Sequence, residues 1–134
     1  MFGSLDSSTS ALAAQRTRMA VISANIANMH STHGPNGEVE PFRRRIAMFA
    51  PGDPGNGSDQ GVHVQQIMLD AAPFRRVHEP GHPDADADGY VSYPNVDPTI
   101  EMMNMLEASR AYEANITAAE ATKSMMNAAV RLLA

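Results

Sequence analysis

Residues 97–133 read DPTIEMMNMLEASRAYEANITAAEATKSMMNAAVRLL, and this stretch decides the fold. It opens on Asp97-Pro98, an acidic cap followed by proline at the first helical position, where the missing N–H costs nothing and the fixed φ already suits a helix. No further proline or glycine interrupts it. Met105, Ala108, Tyr112, Asn115, Ala119, Thr122, Met126, Ala129 and Leu133 then recur in alternating steps of three and four. Leu106, Ile116, Met125, Val130 and Leu132 widen the apolar face, so the pattern predicts one helix over 98–133 with more than one side to bury.

A second segment of the same kind stands at the other end of the chain. Leu5, Ser8, Leu12, Gln15, Met19, Ile22, Ile26 and Met29 follow the same spacing, which predicts a helix over 5–29 with one narrow seam. Ser8 and Gln15 dilute that seam, and a helix draws most of its stability from packing its apolar face, so it needs a partner helix. At 1.5 Å rise per residue the two would span about 37 and 54 Å, so antiparallel pairing leaves roughly three turns of the second uncovered. Those turns have to find another chain.

All nine prolines and eight of the nine glycines fall between Gly34 and Pro98. The chain is therefore read as an N-terminal helical part (1–33), a small β and loop region (34–96) and a C-terminal helical part (97–134): mainly α, with long terminal helices paired in a coiled-coil-like way. In the middle, residues 42–50 and 61–69 read as two strands of a hairpin with a long tip at 51–59. Phe74 to Val77 is a third extended piece, and a sheet this small must lean on the helices. Arg43-Arg44-Arg45 reads as a solvated edge or a subunit contact.

The composition excludes several classes. Net charge is −5, and the acidic excess lies in residues 81–134; no basic stripe for nucleic acid exists beyond the three arginines. Cys is absent, so neither disulfide nor thiolate chemistry is available. The start, Met1-Phe2-Gly3-Ser4-Leu5-Asp6, lacks the basic and apolar regions of a cleaved signal, and no run of about 18 apolar residues is present to insert into a membrane. Export, if it occurs, is expected without a cleaved signal peptide.

Two motifs suggest chemistry. His78-Glu79-Pro80-Gly81-His82 matches the string with which zinc peptidases hold their metal, but that chemistry needs both His on one helical face, and Pro80 and Gly81 break the helix. Asp84, Asp86, Asp88 and Gly89 reproduce the first half of an EF-hand loop. Its twelfth position is Asn95, which has no carboxylate, and Glu79 to Pro83 cannot form an entering helix. No catalytic residue, metal ligand or cofactor is expected.

Ser23-Ala24-Asn25-Ile26-Ala27-Asn28, then Gly89-Tyr90-Val91 with Pro94-Asn95-Val96, and Glu101-Met102 with Ala108 to Asn115 closely resemble signature stretches of the flagellar axial protein family. Within that family His82-Pro83 through Val96, in a chain this short, is similar to the FlgC-type proximal-rod group. After Asn28 the chain departs from the usual Thr-rich continuation, and 51–60 is short. The resemblance implies a structural subunit of the basal-body rod, exported through the flagellar apparatus and polymerised in the periplasm. Implied partners are proximal- and distal-rod subunits, a base adaptor at the export gate and MS ring, and copies of itself. Asn25, Asn28, Gly89, Tyr90, Pro94, Asn95, Arg110, Tyr112 and Asn115 carry the signature. Leu5, Leu12, Met19, Ile22, Ile26, Met105, Tyr112, Asn115, Ala119, Met126 and Leu133 are the expected subunit-packing positions.

Overall fold

The computed structural model describes residues 2–55 and 57–133; Met1, Asn56 and Ala134 lie outside it. Its elements are α1 (Phe2–Ala27), β1 (Arg45–Asp53), β2 (Ser58–Leu69), β3 (Arg75–His78), β4 (Tyr90–Tyr93) and α2 (Pro98–Leu133). The helix pair is present, with 26 and 36 residues; α2 covers the expected 98–133, while α1 starts at Phe2 and stops at Ala27 against the expected 5–29. Asp97 caps α2, its Oδ1 accepting from the Thr99 N–H at 2.8 Å and the Ile100 N–H at 3.3 Å. Among the described residues no helix is long and apolar enough to cross a membrane.

The helices run antiparallel. Ser4 reaches Thr122 (3.5 Å), Arg18 reaches Glu107 (3.1 Å) and Asn25 reaches Glu101 (3.1 Å), so position numbers rise along one helix as they fall along the other. Thr122 is the last buried residue of α2, and the three turns beyond it pass the start of α1, where Leu132 and Leu133 are 88% and 89% exposed.

The structure differs from the sequence reading in three further ways, two of them in the middle. The hairpin is longer: β1 and β2 pair from Arg45↔Leu69 to Asp53↔Ser58, so the expected tip at 51–59 shrinks to what lies between Asp53 and Ser58. Pro51 and Gly52 are absorbed because the ladder shifts register beside them. The 74–77 piece, seen as Arg75–His78, does not join this hairpin; it pairs with Tyr90–Tyr93, a strand the sequence reading missed, to form a second two-stranded sheet. Four residues are too few to show period-two alternation between glycine and proline.

The third difference concerns α1, which has two working faces, not one seam. Ala14, Val21 and Asn25 are buried as well as Ile22. The hairpin lies along α1 on a side made of Ser7, Ser10, Ala14 and Thr17, where Ser10 Oγ accepts from the Val62 N–H at 3.1 Å. Small side chains let strand and helix approach closely, and they carry no hydropathy signal. Gly61 is the matching device: its φ is +94°, and an added Cβ would lie 2.5 Å from Ser10 Oγ. Gly61→Ala should therefore cost about 1–2 kcal/mol from the left-handed backbone alone. The measurement is the urea midpoint of the variant.

Candidate assembly site

The helix seam is built as a row. On α2 the positions Glu101, Met105, Ala108, Tyr112, Asn115, Ala119, Thr122, Met126 and Ala129 are all buried or half-buried, and residues between them are mostly exposed. Of the expected packing positions, Leu5, Leu12, Met19, Ile22 and Ile26 on α1 are likewise half-buried or buried, and Met19 accepts a contact from Ser109 Oγ at 3.6 Å. Leu133 lies beyond the start of α1, in the exposed overhang. Arg110 is exposed, and Asn115 donates to its own helix at Ala111 O. Gln15 Oε1 is buried without a hydrogen-bond partner among the described residues.

At the closed end of the pair the seam finishes in a polar junction. Asn25, 1% exposed, donates through Nδ2 to Arg45 O (2.8 Å) and Glu101 Oε2 (3.1 Å), and accepts through Oδ1 from the Arg45 N–H (2.9 Å). Glu101, fully buried, accepts from Arg44 Nε at 2.7 Å, and Arg44 also bridges to Asp70 at 3.1 Å. Asn95 Oδ1 accepts from the Arg44 N–H (2.9 Å), while its amide nitrogen faces Ala72 O (3.2 Å). One polar knot thus joins α1, the root of the hairpin, the turn before α2 and α2 itself.

Charge is balanced inside it. Burial opposes the Arg44 charge, but hydrogen bonds to Glu101 and Asp70 and their negative charge outweigh burial and raise its pKa. The Ala72 N–H holds Asp70 below the usual carboxylate value; slight burial works the other way, and Arg44 adds to the lowering. A carboxyl with a depressed folded pKa stabilises the fold above its unfolded value and loses that contribution as pH falls through the folded one. Amide protection around Ala72 should therefore fall below about pH 4, and Asp70→Asn should flatten that acid limb.

The arginine triplet is not a uniform solvated edge. Arg44 enters the junction, Arg43 donates to Asp70 O and Ala72 O (2.9 and 3.1 Å) and covers Phe74, and Arg45 stays exposed beside Phe42. Asn28 acts where α1 ends, its Nδ2 donating to Ala24 O (2.8 Å) and its Oδ1 accepting from Ser31 Oγ (3.2 Å).

The two chemical motifs are resolved by their own partners. His78 ends β3 with its ring against Tyr90, Glu79 accepts from Tyr93 O–H at 3.0 Å, and His82 Nδ1 accepts from the Asp84 N–H at 3.1 Å, all on a strand end and turn. Asp84 turns inward to Thr32 Oγ1 (2.8 Å) and His33 Nε2 (3.2 Å), tying the exit of α1 to this loop. Asp86 accepts from the N–H groups of Asp88 and Tyr90 and pairs with Arg76, so the acidic loop is closed by its own backbone. Gly89 has φ +79°, and a Cβ there would crowd His78 and Pro80; Pro94 is fully buried and Tyr90 half-exposed. Among the described residues no group of three or more His, Asp or Glu is placed to hold a metal ion. Changing His78 and His82 together to Ala should leave the helix pair's melting within about 0.5 kcal/mol of the parent, as for other surface sites.

The ends that meet at the junction are those that comparisons recognise. The family model described as "Flagella basal body rod protein" matches residues 5–35, and that described as "Flagellar basal body rod FlgEFG protein C-terminal" matches residues 87–132. Asn25, Asn95 and Glu101 fall inside these stretches, and the class they define is that of flagellar basal-body rod proteins. The flagellar basal-body rod protein FlgC of Bacillus subtilis (strain 168) is 42% identical over 98% of this chain and 97% of its own length. The FlgC proteins of Yersinia enterocolitica and Borreliella burgdorferi are 46% and 40% identical, covering 90% and 99% of this chain and 89% and 97% of their own lengths. The chain belongs to the FlgC family of flagellar basal-body rod proteins: it is a structural subunit of the basal-body rod, not an enzyme.

Proposed function

We propose that this chain polymerises through its terminal helices into the proximal rod, forming part of the drive shaft and of the export channel it surrounds. The observation that carries the reading is a second row on α2. Ala114, Ala118, Ala121, Met125, Ala128 and Leu132 repeat in steps of four and three, all exposed, about 100° round the helix from the seam that meets α1. Small residues at heptad spacing allow another helix to come close, so α2 is shaped to lie between two neighbours, with coiled-coil-like packing on both sides. The overhang continues the inner row past the start of α1 at Met126 and Ala129. Leu5, Leu12, Met19, Ile22, Ile26, Met105, Tyr112, Asn115, Ala119, Met126 and Leu133 are the positions this packing would use, with 34–96 inserted between the paired ends.

The partners in this reading are copies of the chain, other proximal- and distal-rod subunits, and the base adaptor at the export gate and MS ring. The subunit would reach the periplasm through the flagellar export apparatus without a cleaved signal. The test is a strain lacking this gene. It should be non-motile and build no rod, and a tagged copy should restore motility and copurify with detergent-extracted basal bodies. Intact rods without the protein would end the proposal.

A further inference from the structure

An open groove of about 400 Å³ lies between β1, α1 and the start of α2, and its wall is mainly apolar, with Ile22, Met48 and Phe49 prominent. Arg18, Arg44 and Arg45 stand around it against one acid, Glu101. Arg18 is bound to Glu107 and Arg44 to Glu101 and Asp70, whereas Arg45 has no carboxylate partner among the described residues. An occupant that suits this wall is apolar in the middle and acidic at its flanks.

The chain carries such a segment on its own surface. Glu38-Val39-Glu40 lies on the connection from α1 to β1, with Val39 65% exposed and neither glutamate in an ion pair among the described residues. Its shape is set by the backbone: Glu38 O accepts from the N–H groups of Gly34 (2.8 Å) and Glu40 (2.9 Å), and Gly37 N–H bonds Gly34 O (3.0 Å). A projection fixed before contact loses little conformational entropy on docking. The α2 overhang, also apolar and exposed, carries Lys123 and Arg131 and would bring like charge to Arg45.

We propose that Glu38-Val39-Glu40 of one copy docks in this groove of the next, with Val39 against Ile22, Met48 and Phe49 and the glutamates facing Arg45. Loop and groove are different patches of one surface, so the contact is heterologous and propagates along an open helical assembly instead of closing a dimer. The inference rests on the polymerisation reading above and adds to it the contact between neighbouring copies.

The experiment places a photoreactive benzophenone amino acid at position 48 of the full chain in a strain without its own copy. Basal bodies are isolated and irradiated, and the products mapped by mass spectrometry. A cross-linked dimer joining position 48 to residues 34–41 of a second copy is expected. Linkage to the second copy's α2, linkage to a different rod protein, or no linkage in basal bodies that contain the chain overturns the docking while leaving polymerisation intact. Absence of the chain from basal bodies overturns both. In a second arm, Glu38→Arg with Glu40→Arg should reduce incorporation roughly tenfold through like-charge repulsion at Arg45, and adding Arg45→Glu should restore it. Failure of the restoring change, with the triple variant folded by circular dichroism, counts against the docking.

Discussion

Asn25→Ala should destabilise the closed end of the helix pair by about 2–4 kcal/mol, a loss large enough to prevent rod incorporation at ordinary temperature. The side chain is almost wholly buried and satisfies the N–H and C=O of Arg45 together with one oxygen of Glu101. Removing it leaves three polar groups short of a partner where little water can replace it, and each such group costs about 1–3 kcal/mol, with local relaxation lowering the sum. Asn25→Asp should do no better, because its carboxylate cannot donate and would face Glu101. Glu101→Ala belongs to the same experiment: it strips a partly buried Arg44 of one of its two carboxylates, a step that typically costs about 3 kcal/mol or more. Urea midpoints and amide exchange at Arg45 are the measurements. An Asn25→Ala chain within 0.5 kcal/mol of the parent would remove the junction from the account.

That junction also marks where the sequence was and was not legible. The terminal helices announce themselves, because heptad spacing and an Asp-Pro start are local signals that need no knowledge of the rest of the chain. The place of Asn25 near the end of α1 suggests a bond to backbone groups there, and Asn95 stood out only through resemblance. Their common target, the backbone of Arg44 and Arg45, could not be inferred from positions 20 and 51 residues away. Glu101 falls in a signature stretch, but charge in a helical pattern says nothing of burial, so its place in the junction could not be read. The hairpin face of α1 was missed for a related reason. Serine, alanine and threonine fit close packing by being small, a property that an apolar periodicity cannot register.

Removing residues 122–134 is expected to abolish incorporation into the rod while leaving the β sheets and export of the subunit unchanged. Among the described residues the removed part is held to its own copy chiefly by Thr122, 3.5 Å from Ser4, and by the half-buried Met126 and Ala129, while Met125, Val130, Leu132 and Leu133 are 60–89% exposed. Little of the fold depends on them. An apolar helix end three turns long is not stable in water on its own, because helix formation is cooperative and most helical stability comes from packing. Its order should therefore depend on neighbours, and the dilute subunit should show it unprotected. The thinly packed start of α1, with Ser4 and Ser8 on or beside the seam, should fray with it. Ordering both ends on assembly costs about 1–2 kcal/mol per residue in backbone entropy, which the second alanine row and the overhang can offset only when another helix covers them. Amide exchange on the monomer and on purified rods provides the comparison: slow exchange through 122–133 in the monomer would mean a preformed helix, and normal rods from the truncated chain would mean the overhang has no part in assembly.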